Sequence, residues 1–277
     1  MIRLSEAEYL EIVEYMKEHF GINLSKKKTL IECRLAKPLK NHGIESFDGY
    51  MDMVKKDRSG QAAAEMVDCL TTNYTYFLRE PAHFDLLQEK ILPDIFDRIR
   101  MGVCNIWCAG CSTGEECYSM AMAVADFRDK RAGALPKISI KATDISKSVL
   151  REAEEGIYPI EELERIPKPW RERYCKKVGE KSFQVDRNLR SWIHFRKENL
   201  MQPEGAVKYD LIFCRNVMIY FDREAKGKLI RKFENSLNPG GYLILGHAEL
   251  LSREDTKLEP VFRRYTKEFR RNRSAYG

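Results

Sequence analysis

No stretch of this 277-residue chain approaches the ~18–20 consecutive apolar residues that a membrane span requires. The opening segment, "MIRLSEAEYLEIVEYMKEHF", carries acids at helical spacing and lacks the apolar centre of a signal peptide. Both absences lead us to expect a cytoplasmic protein without membrane insertion. Internal repeats and low-complexity segments are missing as well. Histidine is scarce: the five are scattered, with no Ser–His–Asp arrangement and no metal-ligand cluster, so no metal site is expected. His247, in "LGHAE", is alone among them at a strand end, where a structural or substrate-edge role outweighs catalysis. Charge of one sign is not abundant. The net value is +6, and much of it comes from the tail "RRYTKEFRRNRSAYG". A solvated surface explains such a tail, and contact with nucleic acid or an acidic protein is the sharper reading.

Cysteine, by contrast, is plentiful. Eight in an intracellular chain of this size argue for reduced thiols over a disulfide framework. At 43% hydrophobic and 32% charged, the chain has the composition of a soluble protein that buries one large core, or one core plus a small second domain.

The first seventy residues read as short helices. Ser5 and Glu8 form a capping box, and Gly21 suits a helix C-cap. Ser25 opens a second helix ending near Asn41-His42-Gly43, which Pro38 stops earlier or kinks. Two more fit Phe47–Lys55 and Gln61–Leu70, and no strand signal intervenes. From residue 103 strands and helices alternate. Val103–Ala109, Ile138–Thr143, "YDLIFCRN" and the stretch after "NPGG" are strands; Glu115–Phe127, Ser146–Glu155 and Asp222–Leu237 are helices. That alternation implies a parallel sheet covered on both faces, with ligands at the strands' carboxyl ends. Between residues 156 and 195 prolines, Gly179 and short alternating runs, Ser182–Val185 and Trp192–Phe195, suggest a small antiparallel insertion. The expected division is therefore a helical domain over 1–75 and a ligand-binding domain over 76–277, with the insertion at about 156–195.

"VCNIWCAGCSTGEE" can be read in two ways. Cys104, Cys108 and Cys111 have the C-x3-C-x2-C spacing of an iron–sulfur cluster in radical enzymes. If Val103–Ala109 is a strand, however, Cys104 and Cys108 stand ~13 Å apart at ~3.3 Å per residue, too far for one compact cluster. Cys108 and Cys111 could alternatively be a redox pair, but thiols packed as small hydrophobes are the simpler account. The loop after the strand lacks G-x-G-x-x-G, and Glu115 and Glu116 stand where a phosphate would be repelled. A helix start favours acids, which accounts for one of the two. Asp144 ends the next strand, placed to bind ribose hydroxyls. These charges suit an adenosyl ligand without phosphate, carrying an amine and a sulfonium, better than NAD or ATP.

"TTNYTYFLRE", "GCSTGEECYSMAM", "ATDIS", "EEGIYP", "CRNVMIYFD" and "NPGGYLILGHAE" occur in the order seen in chemotaxis-receptor protein-glutamate O-methyltransferases, and the chain resembles this CheR family over nearly its whole length. The resemblance implies an α/β fold: a class I S-adenosylmethionine-dependent methyltransferase (Rossmann-like) sheet with an N-terminal all-helical domain and a small antiparallel β insertion. It implies esterification of glutamate γ-carboxylates on the helical cytoplasmic part of chemoreceptors, with S-adenosylmethionine as methyl donor and S-adenosylhomocysteine as product.

Carried over by motif, Asn73, Thr75, Arg79 and Glu116 would touch the cofactor and Asp144 its ribose. Asn199 and Leu200 would flank the adenine, and Arg215 and Asn216 close the "LIFC" strand. Arg79 and Tyr220 would lie beside the transferred methyl. A surface salt bridge between Arg79 and Glu80, and a core role for Tyr220, are the structural alternatives. Leu78 stands where the family usually has Phe, and Cys117 where Pro is common; both read as packing changes. The loop in "CKKVGEKSFQV" looks shorter than in members that grip a receptor's C-terminal tether peptide, so a tether-independent member is expected.

Glutamate, with a pKa of ~4.3, is ionised at neutral pH, so its in-line methylation needs positioning and no general base. Arg34, Lys37 and Lys40 fall on one side of the second helix, opposite Ile31, Leu35 and Leu39. A solvated face and a dock for an acidic receptor helix both fit that pattern. Methylation of another substrate such as RNA, and a non-catalytic S-adenosylmethionine-binding adaptor, are the competing functions. Nothing in the sequence demands a dimer, so a monomer is expected, with no nucleic-acid partner.

Overall fold

The computed structural model describes residues 2–203, 205–249, 251, 256–261 and 267–271, with 267–269 described by their backbone. Most of the basic tail therefore lies outside the described residues.

Four helices open the chain: α1 (Glu6–Phe20), α2 (Lys28–Asn41), α3 (Phe47–Lys56) and α4 (Gln61–Leu70). Ser5 and Glu8 cap α1 reciprocally, and Gly21 ends it in the left-handed region at φ 72°. α2 departs from expectation at its start. Ser25 lies in a turn, and the helix begins at Lys28 with no side-chain cap. Pro38 sits inside α2, buried, without ending it.

Next come α5 (Ala82–Leu86), a π turn (Leu87–Ile91) and α6 (Leu92–Ile99), a helical stretch that the sequence reading did not identify. The alternating region follows: β1 (Val103–Ala109), α7 (Glu115–Asp129), β2 (Lys137–Asp144) and α8 (Lys147–Glu155). The insertion holds β3 (Ile157–Pro159), a 3-10 segment (Ile160–Arg165), α9 (Lys168–Tyr174), β4 (Cys175–Val178) and β5 (Ser182–Val185). After α10 (Arg187–Arg190) the chain returns through β6 (Ile193–Lys197), β7 (Tyr209–Cys214), a 3-10 turn (Met218–Tyr220), α11 (Arg223–Ser236), β8 (Leu237–Leu245), β9 (Glu259–Val261) and β10 (Lys267–Arg270).

The main sheet runs β6-β2-β1-β7-β8-β10-β9, and the insertion folds as a separate antiparallel sheet, β3-β5-β4. One expectation needs correcting. Trp192–Phe195 does not belong to the insertion: β6 pairs in parallel with β2, Ile193 opposite Ile140. Its alternation reflects an edge position, where Ile193 is buried and its neighbour His194 is exposed. β6 to β8 are mutually parallel through the centre, and β10 is antiparallel to β8.

Strand order reverses between β1 and β7, since β2 lies on one side of β1 and β7 on the other. Such a reversal places a cleft at the carboxyl ends of the strands. The two-residue period of β1 divides the core. Cys104, Ile106 and Cys108 pack towards α7, while Trp107 and Ala109 join a continuous core with α11 and the N-terminal helices. That shared core fixes the helical domain against the sheet beside the cleft.

Candidate active site

Beyond β1 the chain turns through Gly110, at φ +86°, where an added Cβ would lie 2.3 Å from Val217 Cγ2. Only glycine lets the loops after β1 and β7 approach this closely. The Gly110 and Cys111 amides both donate to Thr143 O, at 2.8 and 2.9 Å, which fastens the loop to the end of β2. Ser112 follows in the left-handed region at φ 49°. Its amide donates to Asp144 Oδ2 at 2.8 Å, and its hydroxyl donates to Asn73 O at 2.8 Å. One loop thus positions both an acid and the segment that follows α4.

The cleft above this loop encloses a cavity of about 190 Å³. Asp144 lies in its wall, 9% exposed. Burial raises its pKa, opposed by hydrogen bonds from the Ser146, Ser112 and Ile145 amides. Glu116, in the first turn of α7, also lines the cleft. Glu115 does not: it is buried and accepts from the Thr113 hydroxyl at 2.7 Å.

Behind Glu116 lies Arg215, whose side chain is wholly buried. Its Nη1 donates to Glu116 Oε2 at 2.7 Å, and its Nη2 sits 3.1 Å from Glu80 Oε2 and donates to Arg79 O at 2.6 Å. Burial disfavours ionised Glu80, yet the charge and hydrogen bond of Arg215 outweigh it and hold the carboxyl below its usual range. His83, fully buried beside them, is pushed down to about 3 by burial and by Arg215, so it is neutral at physiological pH. Glu80, His83 and His247 bring their ligand atoms within 4.8 Å of one another, a grouping absent from the sequence reading. The buried guanidinium at Glu80 opposes a cation there.

At the rim, Arg79 Nη1 donates to Tyr74 O at 2.9 Å, and Tyr220 Oη donates to Thr72 O at 3.5 Å. The Arg79–Glu80 salt bridge considered as an alternative is not formed, because Glu80 is taken by Arg215. The helical domain contributes a wall through Phe20, Ile22 and Leu30. Ile22 bridges to Phe221, the Asn23 amide donates to Tyr220 O at 2.8 Å, and Asn199 Nδ2 donates to His19 O at 2.7 Å.

The cysteine question resolves by burial. Cys104, Cys108, Cys111 and Cys117 are all buried free thiols. Burial is the main cause that raises the pKa of Cys104, Cys111 and Cys117, which keeps them protonated and poor as ligands or nucleophiles.

Residues 73–266 match the family "CheR methyltransferase, SAM binding domain", and residues 7–71 match "CheR methyltransferase, all-alpha domain". The chain belongs to the CheR methyltransferase family. It is 41% identical over 256 residues to the chemotaxis protein methyltransferase of Borreliella burgdorferi, covering 90% of each chain. It is 36% identical over 263 residues to chemotaxis protein methyltransferase 1 of Vibrio cholerae, covering 94% of this chain and 95% of the relative.

For this CheR-family chain, the cleft brings together the residues named from the sequence. Asn73, Thr75, Arg79 and Tyr220 line it near the helical domain; Glu116, Asp144, Asn199, Leu200, Arg215 and Asn216 line it along the sheet edge. The donor set suits S-adenosylmethionine: carboxylates face a ligand that carries an amine, a sulfonium and ribose hydroxyls. Two of the three proposed docking cations, Lys37 and Lys40, are exposed on α2. Arg34 is not free in the same way. Its guanidinium donates to Thr71 O at 2.7 Å, Cys69 O at 3.4 Å and Thr72 Oγ1 at 3.2 Å, which ties α2 to the cleft segment.

Sequence reasoning missed Glu249. This buried carboxylate accepts from four amides: Gly246 at 2.7 Å, Met218 at 2.7 Å, Val217 at 2.8 Å and Asn216 at 3.0 Å. It holds the loop after β7, including Asn216 at φ 61°. The acid ending "LGHAE", just past a buried strand, was the available signal.

Proposed function

We propose that this protein transfers the methyl group of S-adenosylmethionine to glutamate side-chain carboxylates of chemoreceptors, giving γ-methyl esters and S-adenosylhomocysteine. The observation that carries the reading is the distribution of charge in the cleft. Carboxylates Glu116 and Asp144 line the wall along the sheet, whereas Arg79 stands at the rim without an ion-pair partner among the described residues.

S-adenosylmethionine supplies an electrophilic methyl group on a sulfonium. Asp144 would accept from the ribose hydroxyls, Glu116 would face the amine, and Asn199 and Leu200 would flank the adenine. Arg79 would orient the incoming carboxylate by charge-assisted hydrogen bonding. Its one hydrogen-bond partner among the described residues, the neutral Tyr74 carbonyl, leaves donors available for that purpose. Tyr220 would stand across from it. The substrate is already ionised, so these residues need only align the reacting groups.

The partner in this reading is the acidic helical region of a chemoreceptor, met by Lys37 and Lys40 on α2. We further propose that the enzyme acts as a cytoplasmic monomer and needs no tether peptide. The turn between β4 and β5 is short, at Gly179, which supports the last point.

The test is incubation of a chemoreceptor cytoplasmic fragment with methyl-labelled S-adenosylmethionine, followed by mild alkali. Release of the label as volatile methanol is expected. Alkali-stable label would contradict the carboxylate substrate, and cofactor binding without transfer would favour the adaptor reading.

A further inference from the structure

Arg79 is held in an unusual way. No carboxylate pairs with it among the described residues; instead its guanidinium carbon lies 5.9 Å from the ring centroids of both Tyr74 and Tyr76. The two rings are 5.7 Å apart and inclined at 54°. Tyr76 does not line the cleft, but its ring has a second cation: Arg165, at the end of the insertion's 3-10 segment, lies 4.5 Å from the Tyr76 centroid. Arg165 is itself paired, its Nε donating to Glu162 Oε1 at 3.1 Å. Glu162 offsets the charge of Arg165, which limits its repulsion of Arg79 across the shared ring.

We propose that Tyr76, pinned from the insertion by Arg165, is a positioning residue for Arg79. This rests on the reading of Arg79 as the group that orients the substrate carboxylate. An aromatic clamp fits that task better than an acid. A carboxylate beside Arg79 would fix it equally well but would neutralise it and compete with the substrate, whereas a ring face attracts the cation and leaves its charge and N–H donors available. The insertion thereby acquires a role in the methyl-transfer site, at one ring's remove.

The test compares Tyr76→Leu, Tyr76→Phe, Arg165→Ala and Arg165→Lys in the full chain, reading kcat and KM for a chemoreceptor fragment and calorimetric affinity for S-adenosylhomocysteine. Tyr76→Leu should lower kcat roughly tenfold, with cofactor affinity within about twofold of wild type. Tyr76→Phe should retain wild-type kcat, because the clamp uses the ring face and not the hydroxyl. Arg165→Ala should lower kcat by about threefold, and Arg165→Lys should restore most of it. Unchanged kcat in Tyr76→Leu, or equal loss in Tyr76→Phe, overturns the proposal while leaving the methyltransferase reading in place. Failure of the wild-type enzyme to methylate the fragment removes that reading, and this proposal with it.

Discussion

Arg215 is the residue around which the acids of the site are arranged. Its buried guanidinium holds Glu116 on one side and Glu80 on the other. Removing one partner from such a group leaves a buried charge half-compensated. Glu80→Gln should therefore destabilise the protein at pH 7 by on the order of 3 kcal/mol. The sign of the pH dependence follows from the lowered pKa of Glu80 in the folded state. The pair's contribution is complete above the unfolded value of ~4.3 and is lost as pH falls through the folded value. Denaturant unfolding at pH 7 and pH 3 measures this: the gap between wild type and variant should narrow at the lower pH. A gap that is constant or widens would show that the ion pair is not what Glu80 contributes.

At the scale of elements, the parallel strands and their helices were legible because buried runs, capping residues and glycines agreed. Val103–Ala109 and Gln61–Leu70 have the expected bounds, and Asp222 and Ser146 cap their helices as acceptors. The misses have physical causes. Edge strand β6 alternates like a hairpin strand, so its local pattern could not distinguish the large sheet from the small one. The stretch from Ala82 to Ile99 passes through a π turn, which interrupts helical periodicity. The cleft residues along the sheet were readable from strand ends, whereas the wall given by Phe20, Ile22 and Leu30 depends on tertiary packing that no local pattern encodes.

Arg34 shows the same limit, since a cation opposite an apolar helix face looks solvated until its acceptors are seen. Because it ties α2 to residues 69–72, Arg34→Ala should loosen the cleft segment that carries Asn73. Lost hydrogen bonds from a charged donor are worth about 1.5–3 kcal/mol each at most, so a five- to tenfold rise in the KM for S-adenosylmethionine is expected. Steady-state kinetics with varied cofactor would check it, and a rise confined to the receptor KM would instead make Arg34 a docking residue.

For the whole molecule, three parts converge on one opening. β2 and α7 supply carboxylates Asp144 and Glu116, the helical domain closes a wall, and Arg165 of the insertion packs on Tyr76 behind the rim. The central claim is a division of labour across that opening, with acids holding the cofactor and Arg79 serving the substrate. Its most direct test is a paired measurement on Asp144→Asn and Arg79→Ala: calorimetric affinity for S-adenosylhomocysteine alongside kcat for methyl transfer to a receptor fragment. The account predicts an affinity loss of tenfold or more for Asp144→Asn, as charge-assisted hydrogen bonds weaken. For Arg79→Ala it predicts a fall in kcat of about a hundredfold, with affinity reduced much less. If Asp144→Asn bound the product as tightly as wild type, or Arg79→Ala lost affinity and rate in equal measure, the division would be contradicted.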